Sequence, residues 1–170
     1  MNVRTNVFWV AGVPTGRLGI LARPRGGDWL GDETAAWREA GVDFVVSLLE
    51  PEEASQLMLA DEAAAAASSG VEFRAFPIPD RGVPASRESV ADLAGDMMAA
   101  LAEGRSVAVH CRQGIGRSGL IAGAILVAMG RDTGAALDAV ANARGLDVPE
   151  TIEQRRWLAD FAAWLESTKV

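Results

Sequence analysis

Residues 117–129 form a helical segment that is apolar on all sides. After Arg117 and Ser118 the segment runs Gly-Leu-Ile-Ala-Gly-Ala-Ile-Leu-Val-Ala-Met without a charged residue. Such a helix has no face to present to water, so we expect it to be central and buried. Its longest apolar run, Leu120–Met129, is well short of the roughly 18 residues that a membrane span requires. The segment therefore favours a core helix with other elements packed around it.

Short β-rich runs alternate with helical patterns along the rest of the chain. The predicted strands are Val7–Val10, Leu18–Ala22, Asp43–Leu48, Val71–Phe76 and Ser106–His110. The predicted helices are Trp29–Ala40, Glu52–Ser69, Ser86–Glu103, Arg117–Met129 and Gly134–Ala143. A last helix is predicted to open at Asp147 and Glu150, a capping-box-like pair with Pro149 in the first turn. Strands separated by helices predict an α/β fold, a three-layer sandwich with a central, mostly parallel sheet of four or five strands flanked by helices.

The composition is that of one globular domain, which we expect to cover residues 1–170. Of the 170 residues, 49% are hydrophobic and 23% are charged, as in ordinary folded domains. The net charge of −7 disfavours general nucleic-acid binding, which requires a basic surface. The apolar stretch near the N-terminus ends at Gly12 and Pro14, too early for a secretory signal. We therefore expect a cytoplasmic protein with neither a nucleic acid nor a membrane as partner.

The chain has one cysteine, Cys111, and one histidine, His110. A single cysteine excludes an intrachain disulfide and a metal site built from several thiolates. A single histidine excludes zinc sites that need two. We therefore expect chemistry that uses no metal and no cofactor.

The segment that begins with this pair carries the strongest functional pattern. It reads His110-Cys111-Arg112-Gln113-Gly114-Ile115-Gly116-Arg117-Ser118-Gly119. It lies between a predicted strand and the apolar helix, a junction where ligands of open α/β sheets bind and where a helix N-terminus attracts anions. Gly114 and Gly116 allow several backbone N–H groups to converge on one point, and Arg117 can form two hydrogen bonds to a phosphate or sulfate. These positive surroundings would lower the pKa of Cys111 from the ordinary value of about 8.5.

The spacing His-Cys-x-x-Gly-x-x-Arg-Ser resembles the phosphate-binding loop of the cysteine-dependent protein tyrosine phosphatases, and the layout is similar to their small dual-specificity branch. This resemblance implies that Cys111 is the nucleophile, that Arg117 binds phosphate oxygens and that Ser118 donates a hydrogen bond to the sulfur. It also implies that His110 organises the loop and supports the thiolate. The residues it implies for phosphate binding are Arg112, Gln113, Gly114, Ile115, Gly116 and Arg117.

This family also uses a general acid on a separate loop. Asp80 occupies the corresponding place, 31 residues before Cys111, in the proline-rich loop 77–84. The chemistry requires an acid because a phenolate or alkoxide leaves poorly unless it is protonated. The resemblance therefore implies metal-independent hydrolysis of phosphotyrosine, and also of phosphoserine and phosphothreonine, in a protein or peptide through a cysteinyl-phosphate.

Weaker features leave several roles open. Residues 147–154 resemble a Pro-x-Thr-x-x-Gln segment of some small phosphatases, which implies that Gln154 orients the hydrolytic water. Arg81 and Arg112 are candidate contacts to the substrate. One alternative is a sulfurtransferase-like enzyme in which the loop cysteine carries a persulfide. Another is an inactive phosphate-binding module, which the joint presence of nucleophile, arginine and acid disfavours.

Overall fold

The computed structural model describes residues 3–169, which form five strands and seven α-helices. The strands are β1 (Val7–Trp9), β2 (Arg17–Leu21), β3 (Phe44–Ser47), β4 (Glu72–Ala75) and β5 (Ser106–His110). The helices are α1 (Leu30–Glu39), α2 (Pro51–Gln56), α3 (Glu62–Ser68), α4 (Arg87–Ala102), α5 (Gly116–Ala128), α6 (Thr133–Arg144) and α7 (Ile152–Thr168). A 3₁₀ turn, Gly27–Trp29, precedes α1.

The strands form one sheet in the order β1-β2-β5-β3-β4. β2, β5, β3 and β4 run parallel, and β1 pairs antiparallel with β2 at one edge. The predicted mostly parallel sheet flanked by helices is therefore confirmed. β5 lies in the middle, with β2 on one side and β3 on the other, so the loop that follows it emerges at the centre of the carboxyl edge.

Helices cover both faces of this sheet because alternate strand residues point to opposite sides. Val107 and Val109 of β5 pack into a core shared with α4, α5, α6 and α7. Ala108, between them, packs on the other side with Trp37 of α1 and Ala66 of α3. The result is the predicted three-layer arrangement, with the larger core on the α5 side.

The all-apolar helix occupies the position expected for it. Every residue from Gly116 to Val127 is buried, because α5 contacts β2 and β5 on one side and α4, α6 and α7 on the others. Within residues 3–169 no helix combines the length and the hydrophobicity needed to cross a membrane.

The single helix predicted over Glu52–Ser69 is wrong, since the structure has two short helices, α2 and α3, at this place. The chain turns between them at Met58, which adopts a left-handed φ of 56°. This turn buries Leu59 against Leu30 and Leu49, and burial of that side chain outweighs the continuation of an alanine-rich helix.

The predicted start of the last helix at Asp147 and Glu150 is also wrong. α7 begins at Ile152, and Thr151 is its N-cap. The Thr151 hydroxyl accepts from the Gln154 N–H, and the Gln154 side chain accepts from the Thr151 N–H. This reciprocal pair satisfies two backbone donors that the helix leaves free, so the capping box lies four residues later than predicted.

Candidate active site

The loop between β5 and α5 forms the floor of the candidate active site. It begins at Cys111, directly after the central strand, and ends where α5 begins at Gly116. The first N–H groups of a helix have no partner within the helix and carry the positive end of its dipole. The site therefore holds a ready-made group of donors for an anion at the middle of the sheet edge.

Two glycines fit the loop tightly against its neighbours. Gly114 has a φ of +72°, and a Cβ there would lie 3.1 Å from the carbonyl oxygen of Leu21. A Cβ at Gly116 would lie 3.0 Å from Glu150 Oε2 and 3.2 Å from the side-chain amide of Gln154. A larger residue at either position would push the loop out of its curved path.

The Cys111 thiol is 3% exposed and lies within this ring of donors. Burial raises the pKa of the thiol, but the hydroxyl and N–H of Ser118 and the N–H groups of Gly114 and Gln113 lower it, and the net pKa lies below its ordinary value. The Ser118 hydroxyl is buried and makes no hydrogen bond of ordinary geometry within the described residues, so its proton is available to the neighbouring sulfur. The arrangement favours a thiolate, the nucleophilic form of cysteine.

Arg117 lies beside the thiol with its guanidinium held by several acceptors. It is 2% exposed and forms a bidentate pair with Glu53 of α2, with N–O distances of 2.6 and 3.0 Å. Its Nη1 also donates to the Ile78 carbonyl at 2.9 Å and more weakly to the Leu48 carbonyl at 3.4 Å. Glu53 therefore fixes the plane of the guanidinium, a role that planar bidentate pairing supports.

Asp80 reaches the same guanidinium from the proline-rich loop. Its Oδ1 accepts from Arg117 Nη2 at 3.2 Å, while its side chain is 54% exposed. Asp80, Cys111 and Arg117 line one pocket of about 110 Å³. The other residues that line it are Arg81, Arg112, Gln113, Gly116 and Glu150. The structure thus brings together the predicted nucleophile, arginine and acid.

His110 points away from the pocket and is completely buried beneath the loop. Its Nδ1 lies 3.2 Å from the Cys111 carbonyl oxygen, and its Nε2 is in hydrogen-bond contact with Glu62 of α3. Burial lowers the pKa of His110, but the charge and hydrogen bond of Glu62 and the Cys111 carbonyl raise it, and the net pKa lies above the ordinary value.

Arg144, at the end of α6, holds the loop from outside. Its Nε donates to the Gly114 carbonyl at 2.8 Å and its Nη2 to the Gln113 carbonyl at 3.3 Å. The guanidinium also lies 4.3 Å from the centre of the Phe8 ring. Because these loop carbonyls are turned outward to Arg144, their peptide N–H groups remain available on the pocket side.

Gln154 and Glu150 connect the start of α7 to the loop that carries Asp80. Gln154 is fully buried, and its Nε2 donates to the Gly82 carbonyl at 3.0 Å. Glu150 accepts from Arg81 at 2.9 Å. Both ends of the Gln154 amide already make hydrogen bonds, one to the Gly82 carbonyl and one to the Thr151 N–H. To position a water molecule, as predicted, the amide would have to give up one of these two hydrogen bonds.

The remaining predicted loop residues occupy the rim and the wall. Arg112 and Gln113 are exposed at the pocket mouth, and the half-buried side chain of Ile115 packs against the main core. In the part of the chain that the structure describes, no group of three or more His, Cys, Asp or Glu side chains is placed to hold a metal ion.

Sequence reasoning missed four contributors to this site, which are Glu53, Glu62, Arg144 and Glu150. Acidic residues on helices usually lie on solvated faces, whereas Glu53 and Glu62 are buried. One signal was present for Glu62, which lies four residues before Ala66 of the same helix, and Ala66 is buried. This spacing places it on the core-facing side of α3.

The comparisons with known proteins agree with this geometry. The family described as "Polymorphic toxin system, DSP-PTPase phosphatase" matches residues 21–131. Cyclin-dependent kinase inhibitor 3 of Rattus norvegicus is 31% identical over 104 residues, 58% of this chain and 49% of that protein. The chain therefore spans about half the length of this curated relative.

Solved structures share the fold over nearly all of the chain. Kinase associated phosphatase, solved with its catalytic-site cysteine replaced by serine, superposes with a TM-score of 0.88 at 21% identity and covers 98% of this chain and 99% of its own. Tk-PTP in its active form gives a TM-score of 0.73 at 29% identity, covering 91% and 96%. Since the family match covers more than half of the chain and includes the whole Cys111 loop, the chain belongs to the DSP-PTPase phosphatases, a family of dual-specificity and protein tyrosine phosphatases.

Proposed function

We propose that this protein hydrolyses phosphate monoesters of phosphotyrosine, and also of phosphoserine and phosphothreonine, in protein or peptide substrates, through a cysteinyl-phosphate and without a metal. One observation carries the proposal. A thiol of lowered pKa, the loop N–H groups, Arg117 and Asp80 meet in one pocket of about 110 Å³. Each of these groups matches a separate need of phosphoryl transfer.

In the first step the Cys111 thiolate attacks phosphorus in line with the leaving oxygen. The new S–P bond forms as the P–O bond to the leaving group breaks, and Asp80 delivers a proton to that oxygen. Arg117 and the N–H groups of the loop from Arg112 to Arg117 stabilise the charge on the other three oxygens. The partly exposed Asp80 carboxyl is accessible to a leaving group that enters from solvent.

In the second step a water molecule attacks phosphorus and the S–P bond breaks. Asp80 takes the proton from the water, and the electron pair of the broken bond returns to the Cys111 sulfur. A hydrogen bond from the Ser118 hydroxyl would stabilise the departing thiolate, which is consistent with a buried hydroxyl that has no other partner of ordinary geometry in residues 3–169.

Arg117 links substrate binding to the state of Asp80. A phosphate that takes Nη2 of Arg117 must displace the Asp80 oxygen that now lies 3.2 Å away. Glu53 keeps hold of the guanidinium meanwhile. The displaced Asp80 carboxyl would then face the leaving oxygen instead of the arginine, so binding itself would place the acid.

The test is turnover of an aryl phosphate and of phosphotyrosine, phosphoserine and phosphothreonine peptides in EDTA. We expect the wild type to remain active, and Cys111→Ser to lose turnover while it still binds inorganic phosphate. Loss of wild-type activity in EDTA would contradict the metal-independent mechanism, and full activity of Cys111→Ser would contradict the nucleophile. Turnover of thiosulfate alone would favour the sulfurtransferase-like alternative, and binding without turnover would favour the inactive module.

A further inference from the structure

We propose that Glu62 is a positioning residue that keeps His110 doubly protonated beneath the nucleophile, so that the imidazolium stabilises the Cys111 thiolate. The inference rests on the proposed function only in taking Cys111 as the reacting group. It concerns the protonation of His110, which can be measured without turnover.

The first support is the chemistry of the two partners of the ring. Nδ1 of His110 faces the Cys111 carbonyl oxygen and Nε2 faces the Glu62 carboxylate. The carbonyl can only accept hydrogen bonds, so Nδ1 must donate; with Glu62 in the carboxylate form that the proposal assigns to it, Nε2 must donate as well. An imidazole with a proton on both nitrogens is a cation.

The second support is the burial of the pair. His110 is 0% exposed and the Glu62 side chain 4% exposed. An isolated charge at this depth would be strongly disfavoured, whereas a hydrogen-bonded pair of opposite charges offsets much of the cost of removing both from water. Glu62 therefore stabilises the buried imidazolium. With a neutral residue in place of Glu62, the neutral form of His110 would have the lower free energy.

The third support is the set of groups that surround His110. The charged groups that act on it are Glu62 from α3 and Cys111 from the loop, and both favour its protonated form. On the α1 side lies the neutral ring of Trp37, with its centre 6.1 Å from that of the imidazole. Within the described residues, no arginine or lysine pairs with Glu62 in competition with the histidine.

The link to the nucleophile follows from adjacency. His110 is next to Cys111 in the chain and is bonded to its carbonyl, so a positive ring lies behind the sulfur while Arg117 lies beside the sulfur in the pocket. The Glu62 charge lies beyond the ring, in contact with its far nitrogen. Replacing the ion pair by a neutral pair would therefore remove the nearer, positive charge and make the thiolate less favourable.

The experiment uses the fact that the chain has one histidine and one cysteine. Nitrogen-detected NMR of the imidazole reports whether one or both nitrogens carry a proton, and the rate of alkylation by iodoacetamide across pH reports the thiolate of Cys111. We expect wild-type His110 to be doubly protonated at pH 7. In Glu62→Gln we expect a singly protonated ring and a pH profile of alkylation whose midpoint lies higher by on the order of one pH unit.

The matched control is Glu52→Gln, the same change of charge at an exposed residue of α2. It should leave both measurements as in the wild type. A neutral ring in the wild type, a ring that stays doubly protonated in Glu62→Gln, or unchanged alkylation in that variant would each overturn the inference. If Glu62→Gln fails to fold, the wild-type ring alone decides, since a single N–H contradicts the assignment. None of these readouts depends on phosphate turnover, so they fail or succeed separately from the proposed function.

Discussion

At the scale of residues, one guanidinium connects the parts of the site proposed for phosphate binding and for acid–base chemistry. Glu53 occupies Arg117 in a bidentate pair, and Asp80 holds one further N–H at 3.2 Å. The buried pair orients the arginine, and the exposed carboxyl is the contact that a substrate can replace. The two carboxylates differ because the Glu53 side chain is enclosed, whereas the Asp80 side chain is half exposed and accessible from solvent.

The proposed acid role of Asp80 predicts a loss of activity that depends on the leaving group. Asp80→Asn should lower kcat by roughly 10²–10⁴ for a phosphate ester with a poor leaving group. The loss should be smaller for a nitrophenyl ester, because that phenolate leaves without a full proton. Steady-state kinetics with a series of aryl phosphates measures the trend. The same factor for every leaving group would show that Asp80 acts only through Arg117.

At the scale of elements, the Cys111 loop is held by the ends of the two helices that follow it in the chain. α5 supplies N–H groups from its start and α6 supplies Arg144 from its last turn. The buried amide of Gln154, in the first turn of α7, holds the neighbouring loop that carries Asp80. Each element is positioned by its own packing on the core, so the curvature of the loop is a consequence of the helix packing.

The external anchor predicts a measurable effect of Arg144. Arg144→Lys keeps the charge but loses the two-pronged contact to the loop carbonyls, each hydrogen bond being worth about 0.5–1.5 kcal/mol. We expect kcat/KM to fall about tenfold, which corresponds to 1.36 kcal/mol. Arg131→Lys is the control, because Arg131 likewise donates to a backbone carbonyl, that of Ala11, away from the pocket. Equal activity of the two variants would rule out an anchoring role for Arg144.

The N-cap of α7 can be tested by stability measurements, which distinguish the observed cap, Thr151, from the cap expected from the sequence, Asp147. Thr151→Ala removes the hydroxyl that accepts from the Gln154 N–H and should lower the free energy of unfolding by about 1 kcal/mol. Asp147→Ala, at the exposed residue that the sequence pattern favours as a cap, should change it by less than about 0.5 kcal/mol. Urea unfolding of both variants measures the difference, and the reverse order would contradict the observed capping box.

At the scale of the whole molecule, the sequence predicts the features that follow from local patterns and misses side-chain contacts between residues that are far apart in the chain. The sheet, the central α5 and the loop of Cys111 follow from local patterns, namely apolar runs, an apolar helix and one motif. The partners Glu53 and Glu62 do not, because each lies more than 45 residues from the group it contacts. The break at Met58 was also hidden, because the alanine-rich stretch after it has helical propensity but no distinct apolar face.

Folding stability should depend on two carboxyls with lowered pKa values, Glu53 and Asp43, as pH falls. The hydrogen bond to Arg117 holds the pKa of Glu53 below its usual value, although burial opposes this. Burial raises the pKa of Asp43, but the hydrogen bond from the Ser106 N–H and the charge and hydrogen bond of Arg38 lower it by more. The net pKa of Asp43 therefore lies below its usual value. A carboxyl with a lowered pKa adds stability above its unfolded pKa of about 4, and this is lost as pH falls through the folded value.

We therefore expect the free energy of unfolding in urea to decrease from about pH 5 downward. Glu53→Gln should flatten part of this dependence, whereas Glu52→Gln, at an exposed neighbour, should not. An unfolding free energy that stays constant down to pH 3 would contradict the assignment of these lowered pKa values.

Trapping the phosphoenzyme tests whether the proposed cysteinyl-phosphate forms on Cys111. The wild type is mixed rapidly with a labelled aryl phosphate, quenched in acid, and digested so that the labelled residue can be identified by mass spectrometry. We expect a phosphoryl group on the sulfur of Cys111, and none in Cys111→Ser. Label on any other residue, or undiminished turnover with no covalent phosphate at any time after mixing, would contradict it.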